Sequence, residues 1–178
     1  MLLEGKRAIV TGGSRGIGRG ISLELARQGC DIVIGYYTAN DHGYAHDTAI
    51  DEVVAEVEAL GRKAIPVEGN IADPAVADLL VAAAVSELGG LDILASNAGI
   101  CPFHAFLDMP AAVYRQTVAV NLDGAFFVTQ AAANWMKDQG RGGSIIATSS
   151  ISALVGGAMQ THYTPTKAGV HSLMQSVA

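Results

Sequence analysis

The sequence predicts one α/β domain over residues 1–178, a doubly wound parallel sheet with helices on both faces, and three observations carry that prediction. Five short aliphatic runs alternate with segments of helical spacing, the pattern of strands joined by right-handed crossovers. Hydrophobic residues make up 50% of the chain and charged residues 16%, as suits strands buried on both faces. A glycine-rich turn follows the first run, and an amphipathic segment starts directly after it.

Taken in order, the strands are read at Arg7 to Thr11, Asp31 to Gly35, Ala64 to Val67, Leu91 to Ser96 and Ser144 to Ser149. Each is a short apolar run bounded by polar or glycine-containing turns, as a buried parallel strand requires. Helices are read at Gly18 to Gln28, Thr48 to Leu60, Pro74 to Leu88 and Ala111 to Lys137, several of them closed by Gly or Gly-Gly. A last helix opens near His162 and is still running at Ala178 with no glycine cap or stop signal. The expectation is a natural protein that continues for at least another strand and helix. Ser144 to Ser149 is then expected as an exposed apolar edge strand.

Seventeen acids against eleven Lys and Arg give a formal charge of −6, and the basic residues are scattered, so no nucleic-acid partner is expected. No apolar run approaches the ~20 residues that cross a bilayer, and Met1 to Gly13 reads as a strand and turn instead of a secretory leader. No membrane partner and a cytoplasmic location are therefore expected. Cys30 and Cys101 form no CxxC pair, so two free thiols in or near the core are expected, with no disulfide framework and no metal site.

The turn after the first strand reads Thr11-Gly12-Gly13-Ser14-Arg15-Gly16-Ile17-Gly18. Glycines allow a sharp turn and bring backbone N–H groups near a pyrophosphate, while the following helix offers partial positive charge at its N-terminus. The end of the second strand, Gly35-Tyr36-Tyr37-Thr38, carries no acid to hold a ribose 2′-hydroxyl or repel a 2′-phosphate, and Arg15 in the turn stands where proteins similar to this one use a basic residue to bind that phosphate. NADP is favoured as cofactor, with NAD also possible. Tyr163 and Lys167 are four apart and share one helix face, a spacing that suits proton transfer by a phenol beside an ammonium.

The glycine spacing is TGxxxGxG, and with it the chain resembles the classical short-chain dehydrogenase/reductase family. Gly12, Gly16 and Gly18 match the family's glycines, and Asn97-Ala98-Gly99, Asn121, Ser150 and Tyr163-xxx-Lys167 follow in the family's order. The resemblance implies a Rossmann-type fold and hydride transfer between NAD(P) and an alcohol or carbonyl carbon. It implies cofactor contacts at Gly12, Ser14, Arg15, Gly16, Ile17, Gly18, Tyr36, Asn70, Ile71, Asn97, Ala98, Gly99, Tyr163 and Lys167. Ser96 stands where the family usually has a first asparagine, and Asn70 where it commonly has an acid.

The same resemblance implies a catalytic tetrad of Asn121, Ser150, Tyr163 and Lys167. Tyr163 is general base in oxidation and acid in reduction, Lys167 holds the nicotinamide ribose and favours the phenolate, and Ser150 bonds the reacting oxygen. Asn121 positions a water linking Lys167 to solvent. Ser149 is the residue with which Ser150 could be confused.

Residues 97–108 and the Asn40-Asp41-His42-Gly43 loop resemble those of L-rhamnose 1-dehydrogenases, which implies oxidation of an aldose C1 hydroxyl, as in L-rhamnose, to the lactone. Ser150, Ser152, Gln160, Tyr163 and His104 are the candidates for binding this small-molecule substrate. The alternatives are a 3-oxoacyl-thioester (acyl carrier protein) reductase and, in another class, a non-catalytic NADP-binding sensor. The resemblance further implies a homodimer or homotetramer, assembled through the helices near Ala111 and His162.

Overall fold

The computed structural model describes residues 1–38 and 49–178. Five strands form one sheet: β1 (Arg7–Thr11), β2 (Asp31–Tyr36), β3 (Ala64–Glu68), β4 (Ile93–Ser96) and β5 (Ser144–Ala147). Their order is β3-β2-β1-β4-β5, every neighbouring pair parallel. The chain winds outward from β1 to β3, then returns to lay β4 on the other side of β1. That reversal leaves a crevice outside the carboxyl ends of β1 and β4, where doubly wound sheets bind their ligands.

Alternation along each strand divides the core in two. Ala8, Val10, Ile32 and Ile34 pack on one face with Leu23 and Ala26 of α1 (Gly16–Arg27) and Val53 and Val57 of α2 (Ala49–Ala59). Ile9, Val33 and Leu94 pack on the other with Leu80 and Ala84 of α3 (Pro74–Leu88) and Val128 and Ala132 of α5 (Gly124–Asp138). Each large aliphatic side chain buried in these layers contributes about 1.5–3 kcal/mol. The bounds of α3 follow from its ends: Asp73 accepts from the Ala75 N–H at 2.9 Å, Pro74 opens the first turn, and Gly89 closes the helix at φ 80°.

Several details differ from the sequence expectation, and β2 and β3 each run one residue further, to Tyr36 and Glu68. The segment read as one helix from Ala111 to Lys137 is α4 (Ala111–Val118) and α5 joined through a π turn at Ala119–Asp123. Leu91 and Asp92 precede β4 instead of opening it, although the Asp92 backbone already bonds Arg7 and Ser144, and β5 ends at Ala147. A 3₁₀ turn at Phe106–Asp108 and the short helix α6 (Ser152–Val155) were not expected, and α7 (Tyr163–Val177) follows them. The loop Asn40-Asp41-His42-Gly43 and Thr48 lie outside the described residues.

β5 lies at the sheet edge with Ile146 exposed. Cys30 is a buried free thiol, and burial pushes it up to about 11, while Cys101 is a half-buried one. No described helix is long and apolar enough to cross a membrane, and no described cluster of His, Cys, Asp or Glu could hold a metal ion.

Candidate active site

A cavity of about 470 Å³ opens at the carboxyl ends of the strands. Every residue that the sequence put forward for the cofactor lines it, from the glycine turn through Tyr36, Asn70, Ile71 and the 97–99 segment to Tyr163 and Lys167. Two glycines of the turn are needed on local grounds. Gly16 sits at φ 54°, which side chains rarely adopt, and a Cβ on Gly18 would lie 2.0 Å from the Gly12 carbonyl oxygen.

Helix α1 starts at this turn with no side-chain cap, whereas α3 is capped by Asp73. Its first-turn N–H groups therefore lack the side-chain acceptor that α3 has, at the place where a pyrophosphate would accept from them. The uncapped N-terminus and a lining that includes both the glycine turn and Tyr163 and Lys167 fit a dinucleotide.

A chain of hydrogen bonds ties the turn to the catalytic candidates. The Thr11 hydroxyl accepts from the N–H groups of Asn97 and Ala98 at 2.9 and 3.0 Å, and Asn97 Nδ2 donates to the Thr11 carbonyl at 3.1 Å. The Thr148 hydroxyl donates to Asn97 Oδ1 at 3.1 Å, and Lys167 Nζ donates to the Thr148 carbonyl at 2.7 Å. The mouth of the glycine turn and the head of Lys167 are thus held in one frame.

On α7 the Lys167 ammonium stands 5.7 Å from the centre of the Tyr163 ring. Lys167 is almost wholly buried and has no carboxylate partner among the described residues. Burial accordingly pulls its pKa below the ordinary lysine value, with the nearby Cys101 thiol acting weakly the other way. Burial pushes the Cys101 thiol up, against a smaller lowering effect of Lys167.

The two serines part company. Ser149 Oγ donates to the Lys167 carbonyl at 3.1 Å, which ties it to the helix backbone. Ser150 Oγ lies 2.8 Å from Ser152 Oγ and accepts from the Ser152 N–H at 3.2 Å. Ser152 is buried at the start of α6.

Asn121 is buried in the π turn. Its Oδ1 accepts from Ile100 N at 2.8 Å, and its Nδ2 donates to the Ile100 carbonyl at 2.9 Å and to Thr166 Oγ1 at 3.2 Å. Both amide hydrogens are used, so a water at Asn121 would bind an oxygen of this residue. A Cβ placed on Gly99 would lie 3.3 Å from Asn121 Oδ1 and 3.4 Å from Lys167 Nζ, so the two heads meet beside that glycine.

The His104 N–H donates to the Met159 carbonyl at 3.1 Å, and the Gln160 carbonyl accepts from the Tyr163 N–H at 2.9 Å, bringing both candidates to the start of α7. Neither lines the cavity described above, nor do Ser150, Ser152 and Asn121.

Sequence reasoning missed four residues here. Thr11 and Thr148 supply bonds that depend on the β1–β4 and β4–β5 register. Cys101 lines the cavity. His162 is wholly buried one residue before Tyr163, with no hydrogen-bond partner for either ring nitrogen among the described residues, and its ring stands nearly perpendicular to that of His104 at 6.5 Å.

Residues 6–178 match the profile of the family described as short chain dehydrogenase. The chain belongs to that family. It is 58% identical over 178 residues to an L-rhamnose 1-dehydrogenase (NAD(P)(+)) of Sphingomonas sp. (strain SKA58), covering 99% of this chain and 67% of that relative. It is 59% identical to the protein of the same name from Azotobacter vinelandii, covering 100% and 68%.

Among solved structures, a short chain dehydrogenase from Burkholderia cenocepacia J2315 in complex with NADP superposes with a TM-score of 0.88 at 36% identity, covering 99% of this chain and 69% of that one. This member of the short-chain dehydrogenases thus spans about two thirds of the length of the relatives that it matches.

Proposed function

We propose that this chain carries the cofactor half and the catalytic residues of an NAD(P)-dependent dehydrogenase that oxidises the C1 hydroxyl of L-rhamnose to the lactone. The observation that carries the reading is the Tyr163–Lys167 pair on one helix face, at the end of a cavity that begins at an uncapped helix N-terminus. The identity to proteins named L-rhamnose 1-dehydrogenase supports the sugar.

The glycine turn and the start of α1 would hold the pyrophosphate, Asn70 and Ile71 the adenine, and Lys167 the nicotinamide ribose. The bound nicotinamide supplies the hydride acceptor. Tyr163 receives the proton of the C1 hydroxyl, and the ammonium of Lys167, held by the Thr148 carbonyl, stabilises the negative phenolic oxygen through space. Ser150 donates to the reacting oxygen. Its present partner, Ser152, keeps the hydroxyl oriented, while Ser149 donates its proton to the Lys167 carbonyl.

Asn121 holds Ile100 and Thr166 in place beside Lys167 and offers an oxygen to a relay water. Ser152, Gln160 and His104 form the substrate side of the site. Tyr114 of α4 and Phe126 of α5 are exposed and suit a homodimer or homotetramer, and the cytoplasm is the location proposed.

The test is a panel of aldoses and an acetoacetyl thioester, each with NADP(H) and NAD(H), followed by nicotinamide absorbance. L-Rhamnose is expected to exceed the other aldoses by roughly tenfold or more in kcat/KM, as hydroxyl recognition allows. Reduction of the thioester with no sugar oxidation favours the acyl-thioester reductase, and cofactor binding without turnover of any substrate favours the sensor.

A further inference from the structure

Gly35-Tyr36-Tyr37-Thr38, at the end of β2, carries no acid, yet the fold brings one beside it from the neighbouring strand. Tyr36 at the end of β2 pairs in register with Glu68 at the end of β3, so their side chains leave the sheet on the same face. The Thr38 hydroxyl donates to the Glu68 carboxylate. Thr38 and Tyr36 line the cavity, as do Gly69 and Asn70, which directly follow Glu68. A carboxylate therefore stands one residue behind the cavity wall, on the strand next to β2, whose end carries the ribose-binding acid in dinucleotide-binding domains that prefer NAD.

Among the described residues, Arg15 lines the cavity and Arg19 of α1 is paired with Glu56 of α2. Asp51 lies in the first turn of α2. The phenol of Tyr36 reports the resulting field: burial raises its pKa, and the charges of Glu68 and Asp51 raise it further.

We propose that Glu68, held at the end of β2 by Thr38, is a cofactor-specificity residue whose carboxylate opposes the 2′-phosphate of NADP and leaves the cavity open to both NADP and NAD. Glu68 repels that phosphate while leaving the ribose hydroxyls of NAD unopposed. The proposal rests on the reading of the cavity as an NAD(P) site.

Its test is calorimetric titration with 2′-phospho-ADP-ribose and with ADP-ribose, which differ only in the 2′-phosphate and report binding without turnover. Glu68→Gln keeps an acceptor for Thr38 and removes the charge at an exposed position. It is expected to tighten 2′-phospho-ADP-ribose by about fivefold at low salt, the size of a screened charge–charge contact near a surface, with the gain fading as salt is raised. ADP-ribose should be unchanged or weaker. Thr38→Val, which releases the carboxylate, should shift the ratio the same way by a smaller factor. An equal shift for both ligands, or none, overturns the proposal. Failure of the unaltered protein to bind either ligand removes the cofactor reading itself, and the proposal with it.

Discussion

The two ends of the sheet treat charge in opposite ways. At the amino ends of the strands, Arg7 reaches Asp92 through Nε at 2.7 Å and Nη2 at 3.0 Å, its own N–H adds a third bond, and Asp31 is held by Arg62 at 2.8 Å. At the carboxyl ends, Lys167 is buried with only a carbonyl acceptor, α1 starts with no side-chain cap, and the ring nitrogens of His162 have no partner among the described residues. Buried polar groups are ordinarily satisfied, so the end that leaves them unsatisfied is the end kept for ligands and chemistry. One end holds the strands together, and the other is made costly so that it can act.

The comparison breaks if charge removal has the same effect at both ends. Asp92→Asn is the larger perturbation: it leaves the part-buried Arg7 guanidinium without its bidentate partner and should lower unfolding stability by about 2 kcal/mol, read from urea midpoints at constant m. Lys167→Met removes a buried charge with no counter-ion, so it should hold or raise the midpoint while abolishing turnover. A loss as large as that of Asp92→Asn would erase the distinction.

The acid and alkaline limbs sharpen it further. Burial raises the Asp92 carboxyl, but the bonds and charge of Arg7 lower it by more, leaving it below its ordinary value. Its stabilisation is complete above the unfolded value of about 3.9 and is lost as pH falls through the lower folded value. Lys167 has the reverse sense. With its folded pKa lowered, stability rises with pH between that value and the unfolded value of about 10.4, and Lys167→Met should remove this alkaline rise.

What could be read from the sequence follows the same divide. The strands were legible because parallel strands buried on both faces, such as Ala8-Ile9-Val10 and Ile32-Val33-Ile34, need unbroken aliphatic runs. Tyr163 and Lys167 were legible because a four-residue spacing is local. The π turn at Asn121 was not, since it is bonded to Ile100 and Thr166, which lie far away along the chain. Nor was the carboxylate at the end of β2, which arrives by cross-strand register from Glu68, or the burial of His162 against His104.

Pairing Tyr163→Phe turnover with cofactor affinity tests the central claim most directly. The account predicts a loss of about a thousandfold in kcat, the scale of general acid–base catalysis, with the cofactor Kd changed by no more than about twofold. Turnover within about tenfold of the unaltered enzyme, with cofactor still bound, would contradict the assignment of proton transfer to this phenol.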